Sequence, residues 1–164
     1  MGEVSRRAKV VPVMALLAIV TGCSVGAPST FTLNSASVDQ SYVCPTSAND
    51  LSYTIHATID VRNGTSSTVT IKSVSVVMTL AAIKGGWLER IGDKYDAGGV
   101  TVSPEAVGAG SSASLNLSIP STCTNGKVPS SGSSYGEYSV AFTVVTSAGT
   151  HTISSQNRHR IVAA

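Results

Sequence analysis

The chain has 164 residues and a formal net charge of +2, with 42% hydrophobic, 12% charged and 5% aromatic residues. That length is enough for one domain of ordinary size with a real core. So small a net charge leaves no electrostatic footprint for nucleic acid or a phosphate-rich partner. Ser, Thr, Val and Gly dominate, a bias that suits half-buried strands joined by small-residue turns.

The first twenty-odd residues read as an export address. A basic segment (Arg6, Arg7, Lys9 against Glu3) is followed by an apolar run from Val10 to Val20 and then by small residues, the order of a secretory signal. The apolar run is well short of the ~20 residues that a bilayer-spanning helix needs, so it predicts a signal and not a permanent span. Ser5-Arg6-Arg7 raises the twin-arginine route, but Lys9 stands where that pattern wants an apolar residue, and ordinary Sec export is the expectation. Val20-Thr21-Gly22-Cys23 closes the segment and resembles the lipobox of bacterial lipoproteins. That resemblance implies cleavage after residue 22 and a diacylglyceryl (palmitate-bearing) thioether on Cys23. It also implies an extracytoplasmic protein anchored to the cell membrane or outer membrane, since two acyl chains suffice for stable anchoring. The alternative is a plain cleavage site with an incidental cysteine. Removing Arg6, Arg7, Lys9 and Glu3 leaves eight bases against eight acids, so the mature domain is neutral.

With Cys23 given to lipid, Cys44 and Cys123 remain as an even pair in an oxidising location, where a bridge is the default and two core thiols the alternative. Residues 23–30 form a small-residue, proline-containing tether. Residues 31–38 are a first strand, with Phe31 and Leu33 on one face, and residues 39–50 are mostly loop. Residues 51–62 alternate most clearly: Tyr53, Ile55, Ala57, Ile59 and Val61 inward, Thr54, His56, Thr58, Asp60 and Arg62 outward. Asn63-Gly64 is a hairpin signal. In residues 68–80 the apolar phase changes between Ile71 and Val74, which predicts a bulge near Lys72-Ser73.

Residues 84–99 break the pattern with glycines at 85, 86, 98 and 99, the sole Trp and a cluster of charge. A long loop of this kind is often functional. Short strands follow at 100–103, 113–119 and 137–146, separated by a turn at 106–112 and a second long loop at 120–136. A last strand starts at 150–155 and resumes near Ile161. The inward phases include Val76, Met78, Leu115, Leu117, Val140, Phe142 and Val144.

About seven short alternating strands with Gly and Asn turns predict an all-β, antiparallel β-sandwich over residues 31–164. The order of strand lengths and turns resembles the immunoglobulin and fibronectin type III superfamily, without the buried Trp of antibody domains. The resemblance implies that strands 51–62 and 112–119 are antiparallel neighbours. Cys44 and Cys123 then meet at one pole, as a disulfide requires. The same topology puts the tether and the turns at 63–64, 106–112 and 148–149 at the opposite pole.

No catalytic signature stands out. His56, His151 and His159 lie in no nucleophile-elbow context, and no His-x-His or Cys-x-x-Cys pair suggests a metal. Glu89, Asp93 and Asp96 lack EF-hand spacing and read as a solvated charged loop, with a weak calcium site as the alternative. Asn63-Gly64-Thr65 and Asn116-Leu117-Ser118 match the glycosylation sequon but read better as a turn and a strand residue. Arg158-His159-Arg160 reads as a solvated tail, with an anionic-ligand patch as the alternative. The expectation is therefore a cofactor-free, non-enzymatic binding module of the cell envelope that engages an envelope protein or surface ligand. A structural spacer without a ligand is the alternative. Trp87, with Arg90 and Tyr95, is the candidate anchor because Trp, Tyr and Arg dominate binding hot spots; a Trp87 folded back to cap the sandwich is the competing possibility.

Overall fold

A computed structural model describes residues 30–125 and 134–164. The expected signal peptide (1–22), Cys23 and the tether up to residue 29 lie outside the described residues, as does 126–133 of the second long loop. The described residues form eleven strands and no helix: β1 (Phe31–Val38), β2 (Ser41–Cys44), β3 (Leu51–Asn63), β4 (Val69–Lys84), β5 (Lys94–Ala97), β6 (Thr101–Ser103), β7 (Ala106–Val107), β8 (Ser112–Cys123), β9 (Ser134–Thr146), β10 (Gly149–Ser154) and β11 (His159–Ala163).

Two sheets face each other. One runs β1-β3-β8-β6 and the other β2-β11-β9-β4-β5, with β10 also on β9 and β7 on β4. All pairings are antiparallel except β2 with β11, which is parallel. This strand order is that of an immunoglobulin-like sandwich, in which the first strand is shared between the sheets. The sharing occurs at Asp39-Gln40: β1 pairs with β3, and the chain then crosses to lie beside β11.

The alternation in residues 51–62 sets the inner face of β3. Ile55, Ala57, Ile59 and Val61 are buried, and Thr54, His56, Asp60 and Arg62 are exposed. They meet Val76, Met78 and Leu80 of β4, Leu115, Leu117 and Ile119 of β8, and Val140, Phe142 and Val144 of β9 in one core. Each fully buried side chain of this size stabilises by about 1.5–3 kcal/mol. Tyr53 is only half-buried, although its hydroxyl bonds the buried His159. The register of β4 against β9 shifts between Ile71 and Ser73, so the extra residue is Lys72. That bulge puts both Ile71 and Val76 inside. A similar irregularity between Leu33 and Ser35 turns Ala36 and Val38 inward in β1.

Several expectations are corrected. The segment 39–50 contains β2, and 84–99 contains β5, which pairs with Val76–Thr79 as a sheet edge. The turn at 106–112 contains the two residues of β7, whose Val107 is buried. β8 and β9 extend further than expected and shorten the second long loop. Residues 158–160 are not a solvated tail: His159 opens β11 and is 1% exposed.

Asn63-Gly64 is not a hairpin turn, because β3 is flanked by β1 and β8 and the chain crosses here to the other sheet. Neither residue has positive φ. Asn63 instead works through its side chain, fully buried, with Nδ2 donating to the carbonyls of Ser67 (2.8 Å), Val107 (2.9 Å) and Gly108 (3.1 Å). Its Oδ1 accepts from the backbone N–H and hydroxyl of Thr65. With its amide committed this way, the first sequon is a structural hub. The hairpin connection proper is Ser147-Ala148 between β9 and β10.

The two ends of the sandwich differ. At the amino-terminal pole, Gly64 donates to the Thr30 carbonyl, Asn63 to Ser111, Gly110 to Thr65 and Ser147 to Thr70. At the other pole, Cys44 of β2 and Cys123 of β8 form a disulfide with Cα atoms 6.0 Å apart. Asn125 holds the same end, donating through Nδ2 to the carbonyls of Cys44 and Ala164.

Candidate binding cleft at the disulfide pole

The disulfide pole is built from segments of both sheets, and the residue that organises it is Gly136. It lies in the middle of the second sheet, paired with Ile83 on one side and Ile161 on the other. The Trp87 indole rests on it so closely that a Cβ at this position would stand 2.6 Å from both Nε1 and Cε2. A glycine in a strand often marks such a close approach. The chain reaches this point through Gly85, whose φ of +73° is one that side-chain-bearing residues rarely adopt.

From this seat Trp87 Nε1 donates to the Tyr138 hydroxyl at 3.2 Å, and the Tyr138 hydroxyl donates to Glu89 Oε2. Burial raises the Tyr138 phenol well above its ordinary pKa, and the Glu89 carboxylate adds to the rise while the Trp87 N–H works against it. Tyr138 therefore stays a donor throughout the physiological range, and the Trp87-Tyr138-Glu89 chain has a fixed direction.

Beside it lies a cleft of ≈ 190 Å³, lined by Trp87, Tyr138, Tyr95, Glu89 and Asp50, with Met78 and the disulfide at its base. Asp50 is held at the rim by Thr124: its N–H donates to Oγ1 at 3.1 Å and its Oδ1 accepts from the same hydroxyl at 3.2 Å. A shallower groove past Tyr95 runs along Tyr53, Pro120 and Thr122.

A second aromatic group ties the sheets together next to the cleft. Tyr42 of β2 stacks on Tyr53 of β3 with ring centroids 3.9 Å apart and an interplanar angle of 7°. His159 Nδ1 donates to the Asp39 carbonyl at 2.8 Å, which leaves Nε2 to accept from the Tyr53 hydroxyl at 3.3 Å. Burial lowers the His159 pKa, with the Asp39 carbonyl opposing. Burial also pushes Tyr53 up to about 12, against the Ser121 hydroxyl. His159 is thus a neutral cross-sheet pin. The arginines on either side turn outward to Glu137, Arg160 Nε at 3.0 Å and Arg158 Nη1 at 3.3 Å, and Arg160 lies over the Tyr135 ring. Glu137 is held below the usual carboxylate range, chiefly by Arg160.

The three candidate binding residues are near one another in sequence but differ in placement. Trp87 is half-buried against the core. Arg90 is exposed, its backbone N–H donating to the Asp93 carboxylate at 2.8 Å. Tyr95 is 40% exposed, and the apolar groups most open to solvent in this region are Leu88 at 66% and Ile91 at 65%. Tyr138, Leu88 and Ile91 were not singled out from the sequence as binding residues, and Glu89 was weighed there only with Asp93 and Asp96 for a metal. The signal that could have found the first is Gly136, interrupting a strand two residues before a tyrosine.

Among the described residues no group of three or more His, Cys, Asp or Glu could hold a metal ion. His56 pairs with Asp39 on the exposed face at 3.1 Å, and His151 lies against Phe31 with ring centroids 5.3 Å apart.

The fold and this pole together define an immunoglobulin-like β-sandwich pinned at one end by a disulfide and covered there by an aromatic lid. No protein-family model matches the chain, and no curated protein matches it in sequence. Among solved structures it is similar to a PapD-like domain of human CEP192, at 15% identity and TM-score 0.30 over 93% of this chain and 96% of that one. It is also similar to AggA, the major subunit of aggregative adherence fimbriae type I of Escherichia coli, at 11% identity and TM-score 0.36 over 82% and 95%. A third is the CooA pilin subunit of enterotoxigenic Escherichia coli, at 14% identity and TM-score 0.28 over 80% and 98%. Likeness at this level carries no inference about what this chain does, and the sandwich assignment rests on the strand order itself.

Proposed function

We propose that this chain is a lipid-anchored extracytoplasmic protein, attached to the cell membrane or outer membrane through Cys23. Its sandwich is a non-enzymatic module that binds an envelope protein or surface ligand at the disulfide pole. The observation that carries this reading is the separation of the two ends. Thr30, where the chain enters from the tether, is bonded to Gly64 at one pole, whereas Leu88, Ile91, Tyr95 and the cleft gather at the other. The twelve residues of β8 run between the poles, a length of roughly 35–40 Å. A lipid on Cys23 therefore holds the first pole against the bilayer and presents the second to the surroundings. Exposed apolar groups rimmed by charge, here Leu88 and Ile91 among Glu89, Arg90 and Asp93, are what an interaction surface presents. Trp87 serves this surface from beneath, as the lid that shapes it.

Metabolic labelling with a palmitate analogue tests the anchor. Wild-type protein is expected to be labelled and membrane-bound, and Cys23→Ser unlabelled and released. A labelled Cys23→Ser protein overturns the anchor assignment.

A further inference from the structure

We propose that the cleft at the disulfide pole is a receptor for a primary ammonium group, specifically the side chain of a lysine on the partner. This rests on the reading of that pole as a binding surface and names what the surface recognises. Among the described residues the charge of the lining is one-sided: Glu89 and Asp50 both face the cleft, and no described Lys, Arg or His lines it. Neither carboxylate pairs with a cation among the described residues, whose ion pairs are His56 with Asp39 and the two arginines with Glu137. Arg90, although next in sequence to Glu89, does not line the cleft.

Both carboxylates are also held in place. Tyr138 fixes Glu89 through Oε2, and Oε1 takes no hydrogen bond among the described residues. Thr124 fixes Asp50, whose backbone sits at φ 50°, a left-handed conformation that Asp tolerates better than most residues. The walls between them are aromatic: Trp87, Tyr95 and Tyr138. An aromatic surface with a nearby carboxylate suits a cation, which is attracted to the ring face and to the charge together. Size points the same way. At ≈ 190 Å³ the cleft is smaller than the ~300 Å³ at which pockets for drug-sized ligands begin, but it accepts an aminoalkyl chain with Met78 against its methylenes. The ammonium has three donors, which match Glu89 Oε1, Asp50 and a hydroxyl at the rim.

Trp87 is the sole tryptophan of the chain, so its emission reports on this cleft alone. The experiment titrates the full folded domain with acetyl-Gly-Lys-Gly-amide, with the Nε-acetyl-lysine and norleucine tripeptides as neutral controls. A saturable change in emission is expected with the lysine peptide only, weakening as salt is raised. Glu89→Gln and Asp50→Asn, each with unchanged circular dichroism, are expected to weaken it by about tenfold, the size of one lost charge-assisted hydrogen bond. An equal response to the acetylated or norleucine peptide overturns the proposal in favour of an apolar or neutral ligand, and so does a lysine response that neither variant diminishes. Absence of any saturable response also overturns it. In that case the wider reading of the pole is judged separately by crosslinking from Leu88, which does not depend on the cleft's charge.

Discussion

Replacing Gly136 by alanine should displace the Trp87 lid without unfolding the sandwich. The added Cβ would stand 2.6 Å from two indole atoms and 2.9 Å from a third. Gly136 is bonded into β4 on one side and β11 on the other, so the backbone cannot retreat and the indole must. The displaced lid loses the hydrogen bond to Tyr138, worth about 1 kcal/mol. It also exposes about half of its buried surface, roughly 100 Å², worth ~2.5 kcal/mol at 25 cal/mol/Å². Alanine returns about 0.5–1 kcal/mol through its lower entropy in the unfolded chain. The net loss is about 2.5–3 kcal/mol, which lowers the melting temperature by roughly 9–11 °C for a domain of this size. Trp87 emission should shift to the red at temperatures where far-ultraviolet circular dichroism is unchanged. Trp87→Ala removes all of that buried surface and should cost more, about 3–5 kcal/mol, and adding Gly136→Ala to it should then be neutral or slightly stabilising, because nothing is left to clash. A double-mutant cycle in which the two changes simply add would refute the packing.

Three further outcomes follow from particular residues. Cys123→Ser opens a loop of about 80 residues and should cost about 4.5 kcal/mol in the chain-entropy account; a loss below ~1 kcal/mol in denaturant unfolding would mean that the bridge does not restrain the chain. Asn63→Ala removes the five hydrogen bonds of a fully buried amide and should cost about 3 kcal/mol or more, while Asn63→Asp, which turns a carboxylate towards those carbonyls, should be worse; an Asp variant as stable as wild type contradicts the hub. His159 has a folded pKa below its unfolded value, so the unfolded chain takes up the proton first as pH falls. Stability should therefore decline from about pH 6.5 downward, by about 1.4 kcal/mol per unit until the folded pKa is reached, and His159→Phe should flatten that slope.

What the sequence made legible was whatever is written in alternation. The inner face of β3 from Ile55 to Val61 could be read directly, and the change of phase between Ile71 and Val74 announced the bulge at Lys72. What it concealed was long-range. β2 is four residues whose parallel partner is β11, more than a hundred positions away, and no local pattern encodes that pairing. Asn63-Gly64 has the chemistry of a hairpin, yet β3 already has a neighbour on each side, so the chain must change sheets. His159 looked like part of a charged tail because its neighbours are arginines. In a strand those arginines occupy the outward phase, which puts His159 and Ile161 inside. At the cleft, Trp87 stood out by its rarity, but its seat on Gly136 joins residues 49 positions apart and appears only once β4 and β9 are in register.

The claim that one pole faces the bilayer and the other a partner is tested most directly by photo-crosslinking in intact cells, with a photoreactive residue placed at Leu88 in one variant and at Gly108 in another. The account predicts that the Leu88 variant yields a discrete protein adduct, lost when Ile91 is changed to Ser, while the Gly108 variant yields lipid adducts or none. A discrete protein adduct from Gly108, with Leu88 silent, would contradict it.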